Sequence, residues 1–215
     1  IQPDKDSRTL TITDNGIGMT KEELEKNLGT IARSGSLDFK TENQSDNIDI
    51  IGQFGVGFYS AFMVAKKVTV ISRAQGADTA WKWESTGVEG YTLTEADKED
   101  VGTEIILVLK DDTDTDKYSE YLEDYELANL VKKYSDYIRF PIRMAVTKTK
   151  KVASCMSDKP DEVPYVEMET LNSMVPIWQR KKADVKPEEY NEFYREKFHD
   201  FADPQRVITV SAEVP

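Results

Sequence analysis

The chain has 215 residues, of which 39% are hydrophobic and 32% are charged, and its formal net charge is −12 at pH 7. These values are typical of a soluble globular protein, and the negative charge argues against a nucleic-acid backbone as the main partner. No segment reaches 18 consecutive apolar residues, so we expect no membrane span. The single cysteine, Cys155, can form no internal disulfide, which favours a reducing compartment and predicts a cytoplasmic protein.

The first half of the chain predicts strands around one capped helix. Residues 9–13, "TLTIT", alternate as strands do and lead into the turn sequence "DNGIGM". Thr20 and Glu23 have the spacing of a capping box, which predicts a helix from there to about Leu28. The polar segment that follows predicts a long loop of the kind that often forms a lid. Four more strands, forming an antiparallel meander, are predicted at residues 67–72, 79–85, 90–95 and 103–109.

The segment "GQFGVGFYS", residues 52–60, carries three glycines in six residues. It is not a Walker loop, because Phe58 stands where the lysine would follow Gly57, and Ser60 replaces the third glycine of a dinucleotide fingerprint. A helix is predicted from this segment to about Ala65. The glycines therefore indicate either free backbone N–H groups that bind an anion at a helix start, or a helix packed closely on a neighbour.

The second half predicts one more helix, a linker and the beginning of another domain. Apolar residues from Leu127 to Ile138 repeat at helical spacing, and a strand is predicted at residues 142–148. A polar stretch with two prolines then indicates an interdomain linker. Beyond it, Pro187 suits a helix start, and residues 206–212 have the pattern of a strand. The predicted segments are an N-terminal domain at 1–149, the linker at 150–166, and an incomplete second domain at 167–215.

Several polar residues beside these elements are candidate ligand contacts. Asp14 ends a strand and is followed by Gly16 and Gly18. A carboxylate there can accept a hydrogen bond from an exocyclic amine, although an ordinary turn explains it more simply. Asn27 can bind phosphate or sugar oxygens and Arg33 can bind a phosphate, or both can be ordinary surface residues. The Thr103 hydroxyl can face the same pocket, or it belongs to an ordinary strand residue.

The order and spacing of these features resemble the ATP-binding domain shared by DNA gyrase, histidine kinases, mismatch-repair ATPases and the ninety-kilodalton heat-shock chaperones. The strings "DNGIGMTKEELEKNLGTIARSGS" and "IGQFGVGFYSAFMVA" are similar to the heat-shock branch, and "VPIWQRKKADVKPEEYNEFYREKFHDFADP" resembles the start of its middle domain. The short linker is similar to that of bacterial members. The resemblance covers nearly the whole chain. It implies an α+β fold of the Bergerat (GHKL) type, a two-layer sandwich of a mixed, mostly antiparallel sheet with helices on one face, N-terminally truncated and followed by the start of a second α/β domain.

The resemblance also implies that the chain binds ATP or ADP. In the implied site Asp14 binds the adenine amino group with help from Thr103, and Asn27 lies near the sugar and α-phosphate. The ATP lid is implied at residues 29 to about 54. The full implied set of contact residues is Asp14, Gly18, Met19, Asn27, Arg33, Gly55, Val56, Gly57, Phe58 and Thr103, the four from Gly55 to Phe58 holding the phosphates through their backbone.

The family's first motif, which supplies a glutamate that activates water and an asparagine that binds Mg²⁺, has no match here, and we expect that the chain begins too late to contain it. Glu23 and Asn27 share its spacing, but they follow Asp14 and do not fit its order. We therefore expect Mg²⁺ to be held mainly through the nucleotide phosphates and hydrolysis to be poor. No catalytic or metal-binding residue is predicted, and whether this chain is itself an enzyme stays open.

The function implied by the resemblance is that of an ATP-dependent chaperone. Its implied partners are unfolded or partly folded client proteins and, in the full-length parent, a second copy, with no nucleic acid and no membrane. One alternative is an interaction fragment that binds no nucleotide. Another is a different GHKL ATPase, a histidine kinase or a topoisomerase subunit, but the last fifty residues do not resemble a topoisomerase transducer domain, and the only histidine, His199, follows the ATP domain.

Overall fold

A computed structural model describes residues 1–29, 56–152 and 161–210. The chain divides into two compact units, Ile1–Ala128 with Met144–Met168, and Asn129–Arg143 with Glu169–Pro215. None of the helices in the described ranges combines the length and apolar character needed to cross a bilayer. The predicted segment boundaries at 149, 150–166 and 167 stay a prediction.

The described residues form eight strands and four α-helices. The strands are β1 (Gln2–Asp4), β2 (Thr9–Asp14), β3 (Ala65–Arg73), β4 (Ala80–Ser85), β5 (Tyr91–Ala96), β6 (Gly102–Leu109), β7 (Arg143–Val152) and β8 (Asp161–Thr170). The α-helices are α1 (Lys21–Leu28), α2 (Ala61–Val64), α3 (Asp124–Tyr134) and α4 (Pro187–Phe198). Short 3₁₀ helices lie at Gly57–Ser60, Tyr118–Leu122, Ile177–Gln179 and Lys182–Asp184.

Six strands form one sheet in the order β1-β2-β6-β3-β4-β5, and every pairing in it is antiparallel. The predicted α+β class with a mostly antiparallel sheet is therefore confirmed. The predicted four-strand meander is right for β3, β4 and β5 and wrong for β6, which lies between β2 and β3. Composition explains the placement, because β6 buries Leu107 and Leu109, whereas β5 is an exposed polar strand suited to an edge.

One face of this sheet carries the core, since cross-strand partners share a face. Leu107 of β6 lies between Leu10 of β2 and Val68 of β3, all buried. The register also places Asp14, Thr103 and Ser72 in one row on the same face, where β2 ends. The core face of the sheet is thus apolar in its middle and polar at the end of β2.

The predicted capping box at the start of α1 is confirmed. The Thr20 hydroxyl accepts a hydrogen bond from the Glu23 N–H at 3.3 Å, and Glu23 Oε2 accepts one from the Thr20 N–H at 2.7 Å. The helix buries Leu24 and Leu28, four residues apart on one face. Asn27 lies beside Leu28, at the last turn of α1.

The helix predicted up to about Ala65 is present as a 3₁₀ turn over Gly57–Ser60 continued by α2, and β3 begins at Ala65. In the second unit, α4 begins at Pro187 as predicted. Asn172 is buried there, where it accepts from the Ile142 N–H and donates to two main-chain carbonyls, those of Ile138 and Phe140.

The secondary structure differs from the expected one in two segments of the second half of the chain. The described part of the predicted linker, residues 150–152 and 161–166, belongs to β7 and β8, which pair as a two-stranded sheet. Because this segment contains prolines and many charged residues, its sequence did not predict the strand pair. The predicted strand at 206–212 is wrong over its described part, residues 206–210. Val210 is 83% exposed, and no described strand pairs with this segment, so its β-branched residues have no sheet to join.

Glu84, on the sheet face opposite the core, predicts a pH dependence of stability. It bonds to Lys67 Nζ at 2.8 Å, to Lys82 Nζ at 3.2 Å and to the Thr69 hydroxyl at 3.1 Å. The hydrogen bond from Lys67, aided by those from Lys82 and Thr69, lowers the pKa of this carboxyl from 4.5 to about 2. Because the pKa is lower in the folded chain, the carboxylate stabilises the fold above pH 4.5, and this contribution is lost as the pH falls towards 2.

We expect Glu84→Gln to lower the free energy of unfolding at pH 7 by about 1 kcal/mol. The difference from the unaltered chain should shrink as the pH falls below the unfolded pKa, as measured by urea unfolding at several pH values. Glu95→Gln, at an exposed glutamate of the neighbouring strand β5, is the matched control. An equal difference at all pH values would contradict the assignment.

Candidate functional site

Asp14 ends β2 directly opposite Thr103 of β6. Its Oδ1 accepts a hydrogen bond from the Gly16 N–H at 2.8 Å, so the turn interpretation of this residue is correct for one carboxylate oxygen. Within the described residues no hydrogen bond reaches Oδ2, and the side chain is exposed. One acidic oxygen is therefore available to a donor from outside the chain.

Ser72 of β3 connects the loop after β2 to β6. Its hydroxyl oxygen accepts a hydrogen bond from the Met19 N–H at 2.8 Å, lies 2.9 Å from Thr103 Oγ1, and donates to the Gly102 carbonyl at 3.2 Å. Ser72 is fully buried. It thus brings together two of the predicted contacts, Met19 and Thr103.

Sequence reasoning missed Ser72. The available signal was its position in the strand "KVTVIS", where the alternation that buries Val68 and Val70 also buries residue 72. A serine on the core face of a strand needs a hydrogen-bond partner, and such a residue marks a polar end of the core.

Gly18 is required where the loop passes the end of β3. Its φ is +67°, and a Cβ there would lie 1.9 Å from the Arg73 carbonyl oxygen. The close approach is fixed by a hydrogen bond from the Gln75 N–H to the Ile17 carbonyl at 2.8 Å. Gly102 is equally constrained on the other side, since its Cβ would lie 2.2 Å from the Asp14 carbonyl oxygen. Both glycines therefore serve close backbone packing around Asp14 and Ser72.

Asn27 supplies an unused acceptor. Its Oδ1 is buried and has no hydrogen-bond partner within the described part of the chain. An unsatisfied buried polar atom costs about 1–3 kcal/mol, and such atoms are rare in native structures. The Asn27 amide is therefore suited to a donor group that a ligand supplies.

The 3₁₀ turn presents backbone at its start and packs aromatic side chains at its end. Val56 and Gly57 are exposed, and a Cβ at Gly57 would meet no atom within 4 Å. The Phe58 ring instead packs edge-on against Trp83, with centroids 5.6 Å apart. The Phe58 ring thus packs within the protein, beside the exposed backbone of Val56 and Gly57.

Two predicted contacts, Arg33 and Gly55, lie outside the described residues, as does the predicted lid apart from Gly29. The remaining eight lie in three groups: the row of Asp14 and Thr103 with the loop of Gly18 and Met19, the last turn of α1 with Asn27, and the 3₁₀ turn from Val56 to Phe58. In the described ranges no three histidine, cysteine, aspartate or glutamate side chains are placed to hold a metal ion. The Glu23 carboxylate is bonded to the Thr20 N–H in the capping box.

We expect Ser72→Ala to lower the free energy of unfolding by about 1–3 kcal/mol, because the half-buried Met19 N–H and the buried Thr103 hydroxyl lose a partner. Chemical unfolding measures this. The control Ser7→Ala removes an exposed hydroxyl that contacts Thr9 at 2.8 Å, and it should change stability by less than about 0.5 kcal/mol. Equal effects of the two substitutions would contradict the role given to Ser72.

Comparison with protein families assigns both parts of the chain. Residues 1–115 match the family described as histidine kinase-, DNA gyrase B- and HSP90-like ATPase. Residues 120–165 and 156–215 match the HSP90 protein family.

The similar curated proteins include bacterial chaperone proteins HtpG. That of Clostridium acetobutylicum is 55% identical over 214 residues, that of Halalkalibacterium halodurans is 54% identical over 214, and that of Natranaerobius thermophilus is 53% identical over 218. Each alignment covers 99% of this chain and 34% of the relative, so the chain spans about a third of the length of these proteins. The chain belongs to the histidine kinase-, DNA gyrase B- and HSP90-like ATPases, on their heat shock protein 90 branch.

Proposed function

We propose that the chain binds adenine nucleotide and acts as part of an ATP-dependent molecular chaperone. The observation that carries the proposal is the polar row at the end of the sheet, where the free oxygen of Asp14 lies on the same face as the Thr103 and Ser72 hydroxyls. A carboxylate accepts hydrogen bonds and donates none, so it favours the exocyclic amine of adenine over the carbonyl of guanine.

The other two groups suit the rest of a nucleotide. Asn27 has a buried acceptor that a sugar hydroxyl can satisfy, and it can also donate through its amide nitrogen. The exposed backbone at Val56 and Gly57 allows close approach of phosphate oxygens. Gly55 and Arg33 complete the proposed phosphate contacts. Gly57 has no side chain, and the space where a Cβ would lie is open, which supports a phosphate at this turn.

In this proposal Mg²⁺ is held mainly through the nucleotide phosphates, and when bound it would neutralise part of their negative charge. The residues of the described ranges bind and orient the nucleotide, and we assign no general base among them. Glu23 is occupied in the capping box of α1. We therefore propose nucleotide binding with slow hydrolysis for this chain.

We infer the activity of the whole protein from the relatives of this chain. Those relatives are named chaperone proteins, which supports unfolded or partly folded proteins as clients. We further propose that the full-length parent works as a homodimer in the cytoplasm and engages neither nucleic acid nor a membrane. The net charge of −12 supports the absence of a nucleic-acid partner.

Calorimetric titration of the whole chain with ADP and ATP, each with and without Mg²⁺, tests the proposal. Asp14→Asn should weaken binding at least about tenfold, because the loss of a charged hydrogen-bond acceptor costs about 1.5–3 kcal/mol. Asp114→Asn, in the exposed loop after β6, is the control and should bind as the unaltered chain does. GTP should bind far more weakly than ATP.

Two results would contradict the proposal. Absence of binding by the unaltered chain would favour an interaction fragment without nucleotide. Equal binding by Asp14→Asn and the unaltered chain would remove Asp14 from the site.

A further inference from the structure

The proposed site is built on separate elements, and Tyr59 connects two of them. Its hydroxyl donates a hydrogen bond to the Leu28 carbonyl at 3.0 Å, across 31 residues of sequence. Leu28 is the last residue of α1 and directly follows Asn27. Its carbonyl is one of the four at a helix end that the helix itself leaves without a partner.

The backbone of Tyr59 belongs to the 3₁₀ turn of the proposed phosphate contacts. Its N–H donates to the Val56 carbonyl at 3.3 Å, which closes the turn around Gly57 and Phe58. The same residue therefore holds the phosphate turn with its backbone and the end of α1 with its side chain. Burial raises the pKa of the Tyr59 phenol above its ordinary value, so the hydroxyl keeps the proton that it donates at neutral pH.

Tyr91 of β5 supports the end of α1 from a second direction. Its hydroxyl donates to Glu25 Oε1 at 3.3 Å, and its ring stacks on Trp83 with centroids 5.8 Å apart. A Cβ at Gly29 would lie 2.9 Å from both Cε1 and the hydroxyl oxygen of Tyr91. The helix end is thus fixed on one side, and the bond from Tyr59 sets where the phosphate turn stands relative to it.

We propose that Tyr59 is a positioning residue of the nucleotide site, because its hydroxyl fixes the spacing between Asn27 on α1 and the phosphate turn at Val56–Phe58. This inference rests on the proposed nucleotide binding. It predicts which ligands depend on Tyr59. A nucleoside diphosphate contacts both α1 and the phosphate turn, so its binding depends on Tyr59. A ligand that carries no phosphate, adenosine, does not.

Titration of the whole chain with ADP and with adenosine tests the proposal. Tyr59→Phe keeps the ring and removes only the hydroxyl, and we expect it to weaken ADP binding three- to tenfold, or about 0.7 to 1.4 kcal/mol. Adenosine affinity should stay within about twofold. Tyr125→Phe removes a hydroxyl at a tyrosine that is 73% exposed and should change neither affinity.

A role in stability alone would not produce this split. If Tyr59→Phe weakens ADP and adenosine equally, or weakens neither, the proposal is overturned. A variant that combines Tyr59→Phe with Asn27→Ala gives a second readout. If Tyr59 acts through α1, Tyr59→Phe should have little further effect on ADP binding once the Asn27 side chain is removed. Fully additive losses would also overturn it.

The outcome for Tyr59 can be separated from that for the proposed function. If the unaltered chain binds neither ligand, both proposals fail together. If it binds both, Asp14→Asn weakens both and Tyr59→Phe has no selective effect, only the Tyr59 proposal fails. Should Tyr59→Phe not fold, Gly29→Ala offers a second test, because its Cβ would lie 2.5 Å from the Glu25 carbonyl oxygen and 2.9 Å from Tyr91 and so displace the same helix end. This variant must show the same selective loss of ADP binding, or the proposal is overturned.

Discussion

The buried hydroxyl of Ser72 is the interaction on which the candidate site depends. One oxygen atom contacts the loop after β2 through the Met19 N–H, and β6 through both Thr103 and the Gly102 carbonyl. The loop crosses the end of β3 so closely that only glycine fits at position 18. A hydroxyl is small enough to lie in that space and can both accept and donate, which an apolar residue of similar size cannot do. Asp14 is therefore held at the end of β2 by packing and hydrogen bonds of its neighbours.

Much of the fold could be predicted from the sequence where the signal is local. The capping box at Thr20 and the start of α4 at Pro187 are determined by neighbouring residues, and both are present. Strand alternation located β3 to β6 within a residue or two. The position of β6 between β2 and β3 could not be read from alternation, because strand order depends on which apolar faces meet across long sequence distances. Strand pairing also explains the two segments whose secondary structure was mispredicted. Residues 150–152 and 161–166 belong to strands that pair with each other, whereas residues 206–210 form no strand.

The site shows the same division between local and long-range information. Asp14, Gly18 and Asn27 were predicted as contacts from short motifs, and that role stays a prediction. The structure adds a close backbone approach at Gly18 and an Asn27 acceptor without a partner in the described residues. Tyr59 lies in the glycine-rich segment and Ser72 in an alternating strand, but neither local pattern indicates which residue its side chain contacts. Their importance lies in contacts to Met19 and Leu28, which are 53 and 31 residues away in the chain. These partners are known only from the tertiary contacts.

The shortness of α1 has a thermodynamic consequence. A helix of eight residues is marginal in isolation, because nucleation costs more than so few hydrogen bonds return. It persists because Leu24 and Leu28 are buried and because Tyr59 and Tyr91 hold its end. Any ligand that bonds to Asn27 must therefore share its binding free energy with the opening equilibrium of this helix. Occupancy of the site would therefore slow the hydrogen exchange of the α1 amides, because a bound ligand shifts this opening equilibrium towards the closed helix.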